Sequence, residues 1–281
     1  MTASRPTWVL VATAIASQGC ESHLRESPYP PQTPATQTIS VSGDSMSTAV
    51  SPDKIANTTP SDEQSIVAFE SVPDLPKDLA IFDSVFWEPE DTRSLRELIR
   101  SDLTLKNARV LEIGTGSGLI SMCCLQAGAT HVVATDINPK AVRNARFNAG
   151  ELGHSQRFEV RLVPRRSPHA WTVIRPGERF DLIVSNPPWE DSQPTAMDQF
   201  ALYDPGFGLL DSLLSGCRER LNPGGRMLVA YGCVTAIRRL QDQAKIHGLC
   251  TRLLDDRSLD ELPELFLPGM LIEVTIPRQS P

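Results

Sequence analysis

This 281-residue chain lacks any regular pattern of cysteines. Its six, Cys20, Cys123, Cys124, Cys217, Cys233 and Cys250, show no CxxC spacing, which argues against a zinc knuckle and a disulfide-stapled scaffold. They are expected to be reduced and mostly buried thiols. A basic excess is also missing: 27 Lys and Arg stand against 34 Asp and Glu, a formal charge of −7. No general attraction to nucleic-acid phosphates follows from such a balance. His23, His131, His154 and His247 have no ligand spacing, so no metal is expected. The apolar run over residues 8–16 is far too short for a membrane span of roughly 20 residues. Beyond these absences, 40% apolar and 22% charged residues are ordinary values for a globular protein.

The chain divides by composition into three parts. Over residues 1–26, Arg5 precedes the apolar run, which leads to Ser17-Gln18-Gly19-Cys20. One reading is a lipoprotein-like export signal, and the other a fortuitous segment upstream of a start at Met46. Residues 27–65 are rich in Pro, Ser and Thr and are expected to form a disordered arm, since they hold too little apolar surface to offset the entropy of folding. The folded unit is expected over residues 66–281.

Within that unit short apolar runs alternate with helical stretches. Strands are predicted at 109–114, 131–136, 158–163, 180–186, 226–231 and 271–276, and helices at 92–100, 119–126, 139–152, 206–221 and 234–247. Such alternation predicts an α/β fold, a doubly wound and mostly parallel sheet with helices on both faces. Residues 249–254 and 271–276 are both strand-like with no clear helix between them, which predicts an antiparallel last strand reached through a loop.

Two motifs carry chemistry. The first predicted strand runs into Gly114-Thr115-Gly116-Ser117-Gly118, and a helix opens at Leu119. Glycines let bare backbone approach a ligand, and the helix N-terminus offers free N–H groups to an anion. A dinucleotide fingerprint GxGxxG would place its third glycine at position 119, where Leu119 stands. The pattern is instead E-x-G-x-G-x-G, from Glu112 to Gly118. It resembles motif I of the class I, Rossmann-like methyltransferases, and the resemblance implies S-adenosyl-L-methionine as cofactor. Asp136 ends the second strand, where a carboxylate can accept from both ribose hydroxyls. It could equally cap the helix that follows, although Asn138 is better placed for that. By the resemblance, Glu112, Gly114, Thr115, Gly116 and Gly118 belong to the cofactor loop, Glu112 helps position the methionine end, and Ile137 lies against the adenine.

The second motif, Asn186-Pro187-Pro188-Trp189, follows a buried strand and is delivered to the carboxyl edge of the sheet, where open α/β sheets bind ligands. Two prolines fix the backbone and remove N–H donors, so the Pro187 carbonyl can point outward, and the Asn186 oxygen supplies a second acceptor. An amide or aromatic amino nitrogen is a poor nucleophile because its lone pair is delocalised. Two acceptors on its N–H groups favour a pyramidal nitrogen whose lone pair faces a methyl donor. Trp189 is expected to stack on the flat substrate. The bland alternative is a turn ending a strand.

Phe86-Trp87-Glu88-Pro89-Glu90-Asp91-Thr92 precedes the cofactor segment, and Tyr203-Asp204-Pro205-Gly206-Phe207-Gly208 and Leu221-Asn222-Pro223-Gly224-Gly225 come after it. Together they resemble the HemK-like glutamine N5-methyltransferases. Asp91 and Thr92 could also simply cap a helix. Trp189 replaces the tyrosine more usual in that family, and Pro164-Arg165-Arg166-Ser167 lacks an acidic residue for the adenine amino group. The resemblance implies an N-methyltransferase acting on a protein glutamine; a cytoplasmic location is expected because the implied cofactor is an intracellular metabolite, and a monomer is expected. The alternatives are methylation of an exocyclic amino group on a nucleobase in RNA or DNA and, from another class, a non-catalytic cofactor-binding protein.

Overall fold

A computed structural model describes Asp62 and residues 65–277. The readings for 1–26, and for most of 27–65, fall outside these residues. Two sheets are present among them. A two-stranded antiparallel hairpin pairs β1 (Ile66–Glu70) with β2 (Leu79–Phe82). The main sheet has seven strands: β3 (Arg109–Ile113), β4 (His131–Asp136), β5 (Phe158–Leu162), β6 (Phe180–Ser185), β7 (Leu221–Cys233), β8 (Cys250–Leu253) and β9 (Leu265–Thr275), in the spatial order 5-4-3-6-7-9-8. Strands β3 to β7 are parallel, and β9 runs antiparallel to both β7 and β8. This is the doubly wound sheet with an antiparallel last strand that the alternation predicts.

The five helices described are α1 (Arg93–Ser101), α2 (Leu119–Gln126), α3 (Pro139–Glu151), α4 (Gly208–Arg220) and α5 (Val234–Ile246). They cover the two faces of the sheet and bury two large apolar clusters. One, with Leu210, Leu213 and Ile237, packs α4 and α5 on β6, β7 and β9. The other, with Leu95, Ile99 and Met122, packs α1 and α2 on the opposite face. Burial of this kind supplies most of the favourable free energy of folding.

The structure differs from the sequence expectations in several places, among them strand β9, which starts at Leu265 rather than 271. The β1–β2 hairpin was not predicted. Two buried asparagines of α3 hold the otherwise open edge of β2: Asn144 accepts from the Phe82 N–H (2.9 Å) and donates to the Ala80 carbonyl (2.7 Å), while Asn148 accepts from the Ala80 N–H (2.9 Å). Strand β7 starts at Leu221 rather than 226, with a register irregularity opposite Phe180 and Leu182 that accommodates Asn222 to Gly225. Helix α4 starts at Gly208 rather than 206, because Gly206 and Phe207 both adopt left-handed backbone (φ 63° and 56°). Asp204 then closes the helix end by accepting from the N–H groups of Leu209 (2.8 Å) and Leu210 (3.0 Å).

Candidate active site

Strand β3 lies where the chain's path across the sheet reverses, with β4 and β5 to one side and β6 and β7 to the other. At this switch point the carboxyl ends of β3 and β6 diverge into a crevice, the place where such sheets bind ligands. The Ser185 hydroxyl donates to the Ile113 carbonyl (2.8 Å) and ties the two strand ends together. The glycine loop and the Asn186 corner open there onto one cavity of about 350 Å³, lined by Glu112, Gly114, Thr115, Gly116, Asp136, Ile137, Asn186, Pro187 and Pro188, among others.

The loop is shaped by its glycines and two buried acids. Gly114, Gly116 and Gly118 have φ of 78°, 54° and 91°, which L side chains rarely adopt. An added Cβ at Gly114 would meet nothing within 4 Å, whereas at Gly118 it would meet the backbone of Ala145 at 3.1 Å. Gly114 therefore keeps the loop open beside the cavity. Gly118, which does not line it, lets α2 approach α3. Asp136 accepts from the Gly116 N–H and from the Asn138 N–H, each at 2.8 Å, so its carboxylate holds the loop to the start of α3. Burial raises its pKa, and those N–H bonds work in the opposite direction. Asn138, not Asp136, caps α3 by accepting from the Lys140 N–H (2.9 Å).

Glu112 is 3% exposed. It accepts from the Thr115 hydroxyl (2.7 Å), the Ser121 N–H (3.1 Å) and the Ser121 hydroxyl. Its carboxyl is nevertheless pushed up to about 7, because desolvation outweighs these bonds.

Trp189 requires a correction. Its ring is buried in the apolar cluster and does not line the cavity; an added Cβ at Gly232 would collide with it, and one at Gly269 would meet it at 3.4 Å. A ring packed this way cannot also stack on a substrate. Its indole N–H instead donates to the Asn186 side-chain oxygen (3.2 Å).

Two segments complete the cavity. Ser84 and Phe86 to Pro89 line one side, secured by the Asn138 amide, which donates to the Ser84 carbonyl (2.8 Å). Met197, Asp198, Phe200 and Tyr203 line another, and Arg165 lies over the Phe200 ring (5.4 Å). Residues 197–201 carry no motif in the sequence; only their neighbours Tyr203 and Asp204 stood out. Among the described residues no group of three or more His, Cys, Asp or Glu is arranged to hold a metal, and no helix is long and apolar enough to cross a membrane.

Comparison with known proteins identifies the family. The model of the ribosomal protein L11 methyltransferase (PrmA) family matches residues 93–187. A release factor glutamine methyltransferase of Cereibacter sphaeroides is 36% identical over 48% of this chain and 50% of its own length. A Methanocaldococcus jannaschii protein, provisionally named protein N5-glutamine methyltransferase MJ0928, is 31% identical over 58% of this chain and 80% of its own length. The chain belongs to the HemK-like S-adenosylmethionine-dependent methyltransferases.

This HemK-like chain spans about half the length of the first curated relatives it matches, 50% and 53% of two release factor glutamine methyltransferases. Its fold is similar to that of the S-adenosylmethionine-dependent methyltransferase from Agrobacterium tumefaciens, with a TM-score of 0.52, 18% identity, and coverage of 75% of this chain and 70% of that one. The cofactor of the HemK-like chain is S-adenosylmethionine. The residues present fit it: the cavity has bare backbone at Gly114 and Gly116, a carboxylate at Asp136 able to accept from hydroxyl groups, and apolar Ile137 and Val163.

Proposed function

We propose that this protein transfers a methyl group from S-adenosylmethionine to a planar amide nitrogen, that of a glutamine side chain in a protein. The observation that carries the reading is the Asn186 corner opening onto the same cavity as the Gly114–Gly116 loop, with the amide oxygen of Asn186 identified by the indole donor it meets. The names of the HemK-like relatives support glutamine as the acceptor.

In this reading Gly114, Thr115 and Gly116 lie against the cofactor, Asp136 accepts from its ribose hydroxyls, Ile137 covers the adenine, and Glu112 sits by the methionine end. Gly118 keeps the loop in place from behind. When bound, the cofactor supplies an electrophilic methyl on a sulfonium. Asn186 and the Pro187 carbonyl accept from the two N–H groups of the substrate amide, and Pro188 keeps that carbonyl from turning away. Held so, the nitrogen directs its lone pair at the methyl carbon. The methyl group would pass from the cofactor's sulfonium sulfur to this nitrogen, and the proton that the nitrogen then sheds would go to solvent. Orientation and fixed acceptors supply the catalysis, so no strong base is needed. The cofactor is an intracellular metabolite, and the reading goes with a cytoplasmic monomer.

The test is methyl transfer from labelled S-adenosylmethionine to peptide libraries centred on glutamine, asparagine or lysine, beside RNA and DNA. Label is expected in the glutamine library. Label in nucleic acid alone would replace the substrate assignment. Asn186→Ala should abolish transfer and keep cofactor binding by calorimetry, and unchanged turnover in that variant would refute the assigned role.

A further inference from the structure

Asn186 and the Pro187 carbonyl can hold a flat substrate group by its edge, but the motif leaves the face of that group uncovered, because the Trp189 ring is packed in the core. A later segment brings an aromatic residue to the same corner. Just past the motif, Glu190 forms a parallel bridge with Tyr203. The Glu190 N–H donates to the Leu202 carbonyl (3.2 Å), and the Asp204 N–H donates to the Glu190 carbonyl (2.8 Å). Chains bonded in this way lie about 4.8 Å apart, so Tyr203 stands beside a residue that the two prolines connect stiffly to Asn186.

The bridge also sets the direction of the ring. Successive residues of an extended chain point to opposite sides, and residues paired across a bridge point to the same side. Trp189 faces the core, so Glu190 and its partner Tyr203 face away from it. Tyr203 is accordingly half-buried and lines the cavity together with Asn186, Pro187 and Pro188.

Its backbone is held on both flanks. The Tyr203 N–H donates to the Gln199 carbonyl (3.0 Å), and the Gly206 N–H donates to the Asp191 carboxylate (2.6 Å). The other aromatic residues of the cavity are engaged elsewhere. Arg165 lies over the Phe200 ring, and Trp87 packs against the apolar cluster of α1 and α2. Phe86 adjoins the glycine loop, its carbonyl 3.8 Å from an added Cβ at Gly116.

We propose that Tyr203 is a specificity-determining residue, the wall of the acceptor pocket, whose ring lies against the face of the flat group that Asn186 and the Pro187 carbonyl hold by its edge. The inference rests on the methyl-transfer reading above, and it moves to Tyr203 the stacking contact expected of Trp189. The contact belongs to the ring, so a phenylalanine can replace the tyrosine.

Two variants of the full chain test it with the glutamine-centred peptides. Tyr203→Ala is expected to raise peptide KM about tenfold, with kcat and cofactor Kd little changed, and Tyr203→Phe is expected to restore KM. A folded Tyr203→Ala protein with the peptide KM of the wild type, or with a loss confined to cofactor Kd, would overturn the proposal. A readout on the wild type covers the case in which Tyr203→Ala does not fold. The chain has only three tyrosines, so ring-13C labelling gives few signals. That of Tyr203 is assigned by its loss in Tyr203→Phe, and that of fully buried Tyr231 serves as the internal reference. With S-adenosylhomocysteine bound, titration with the peptide should move the Tyr203 signal by more than that of Tyr231. A Tyr203 signal that stays in place while calorimetry shows the peptide bound counts against this inference alone. A peptide that neither binds nor takes label counts against the glutamine reading, and the same titration with the RNA or DNA that does take label then decides on Tyr203.

Discussion

The Trp189 indole N–H donates to the Asn186 amide oxygen across 3.2 Å, from a ring sealed against Gly232 and Gly269. The aromatic side chain of the motif is therefore a brace for Asn186 within the core, and in the proposed reading it leaves the cavity side of Asn186 to the substrate.

A brace and a stacking platform respond differently to substitution. Trp189→Phe keeps a ring in the core but removes the donor, a loss of about 1 kcal/mol for one neutral hydrogen bond. We expect kcat to fall roughly fivefold, the equivalent of that energy, with substrate KM little changed. A rise in KM at constant kcat would instead restore the stacking role.

The contrast between Trp189 and the rest of its motif marks how far the sequence was legible. Strands β3, β4 and β6 each hold a short apolar core, Val110-Leu111, Val132-Val133-Ala134 and Leu182-Ile183-Val184, whose successive residues are all buried, and helices α2 and α3 start at Leu119 and Pro139 where the glycine loop and the Asn138 cap predict. Asn186 and Gly116 could be assigned to one cleft because both follow parallel strands at a switch point, a matter of topology. The direction of the Trp189 ring depends instead on Gly232 and Gly269, which are distant in the chain and offer no local signal. The hairpin was missed for the same reason. Ile66–Glu70 alternates only weakly, and its partner strand is held by Asn144 and Asn148, more than sixty residues away.

The glycine loop makes a prediction that separates packing from ligand contact. At Gly118 an alanine would be strained by φ of 91° and would press on Ala145 at 3.1 Å, while at Gly116 its nearest neighbour would be the Phe86 carbonyl at 3.8 Å. Gly118→Ala should therefore lower unfolding free energy by about 2 kcal/mol, combining left-handed strain with overpacking. Gly116→Ala should cost roughly half as much, from strain alone, yet weaken cofactor binding more, since Gly116 lines the cavity in which the cofactor is proposed to bind. Urea unfolding and calorimetric titration of both variants check the ordering. Equal losses of stability would show that α2 has room to shift.

Glu112 links the same loop to pH. Its carboxyl ionises near its ordinary value of 4.5 in the unfolded chain but at about 7 in the fold, where desolvation dominates. Below pH 4.5 both states are protonated and the native protein carries no penalty from this group. As pH rises from there the unfolded chain sheds the proton while the native state keeps it, so stability falls until the native carboxyl also ionises. The accumulated loss above pH 7 is about 3 kcal/mol at order of magnitude. Glu112→Gln replaces the acid by a neutral group that can still accept from Thr115 and Ser121. The cofactor-free variant should therefore gain thermal stability over the wild type at pH 8, and the gain should shrink steadily toward pH 5. Melting curves that stay parallel across this range would mean that Glu112 is ionised in the native protein throughout, and that its bonds to Thr115 and Ser121 outweigh its burial.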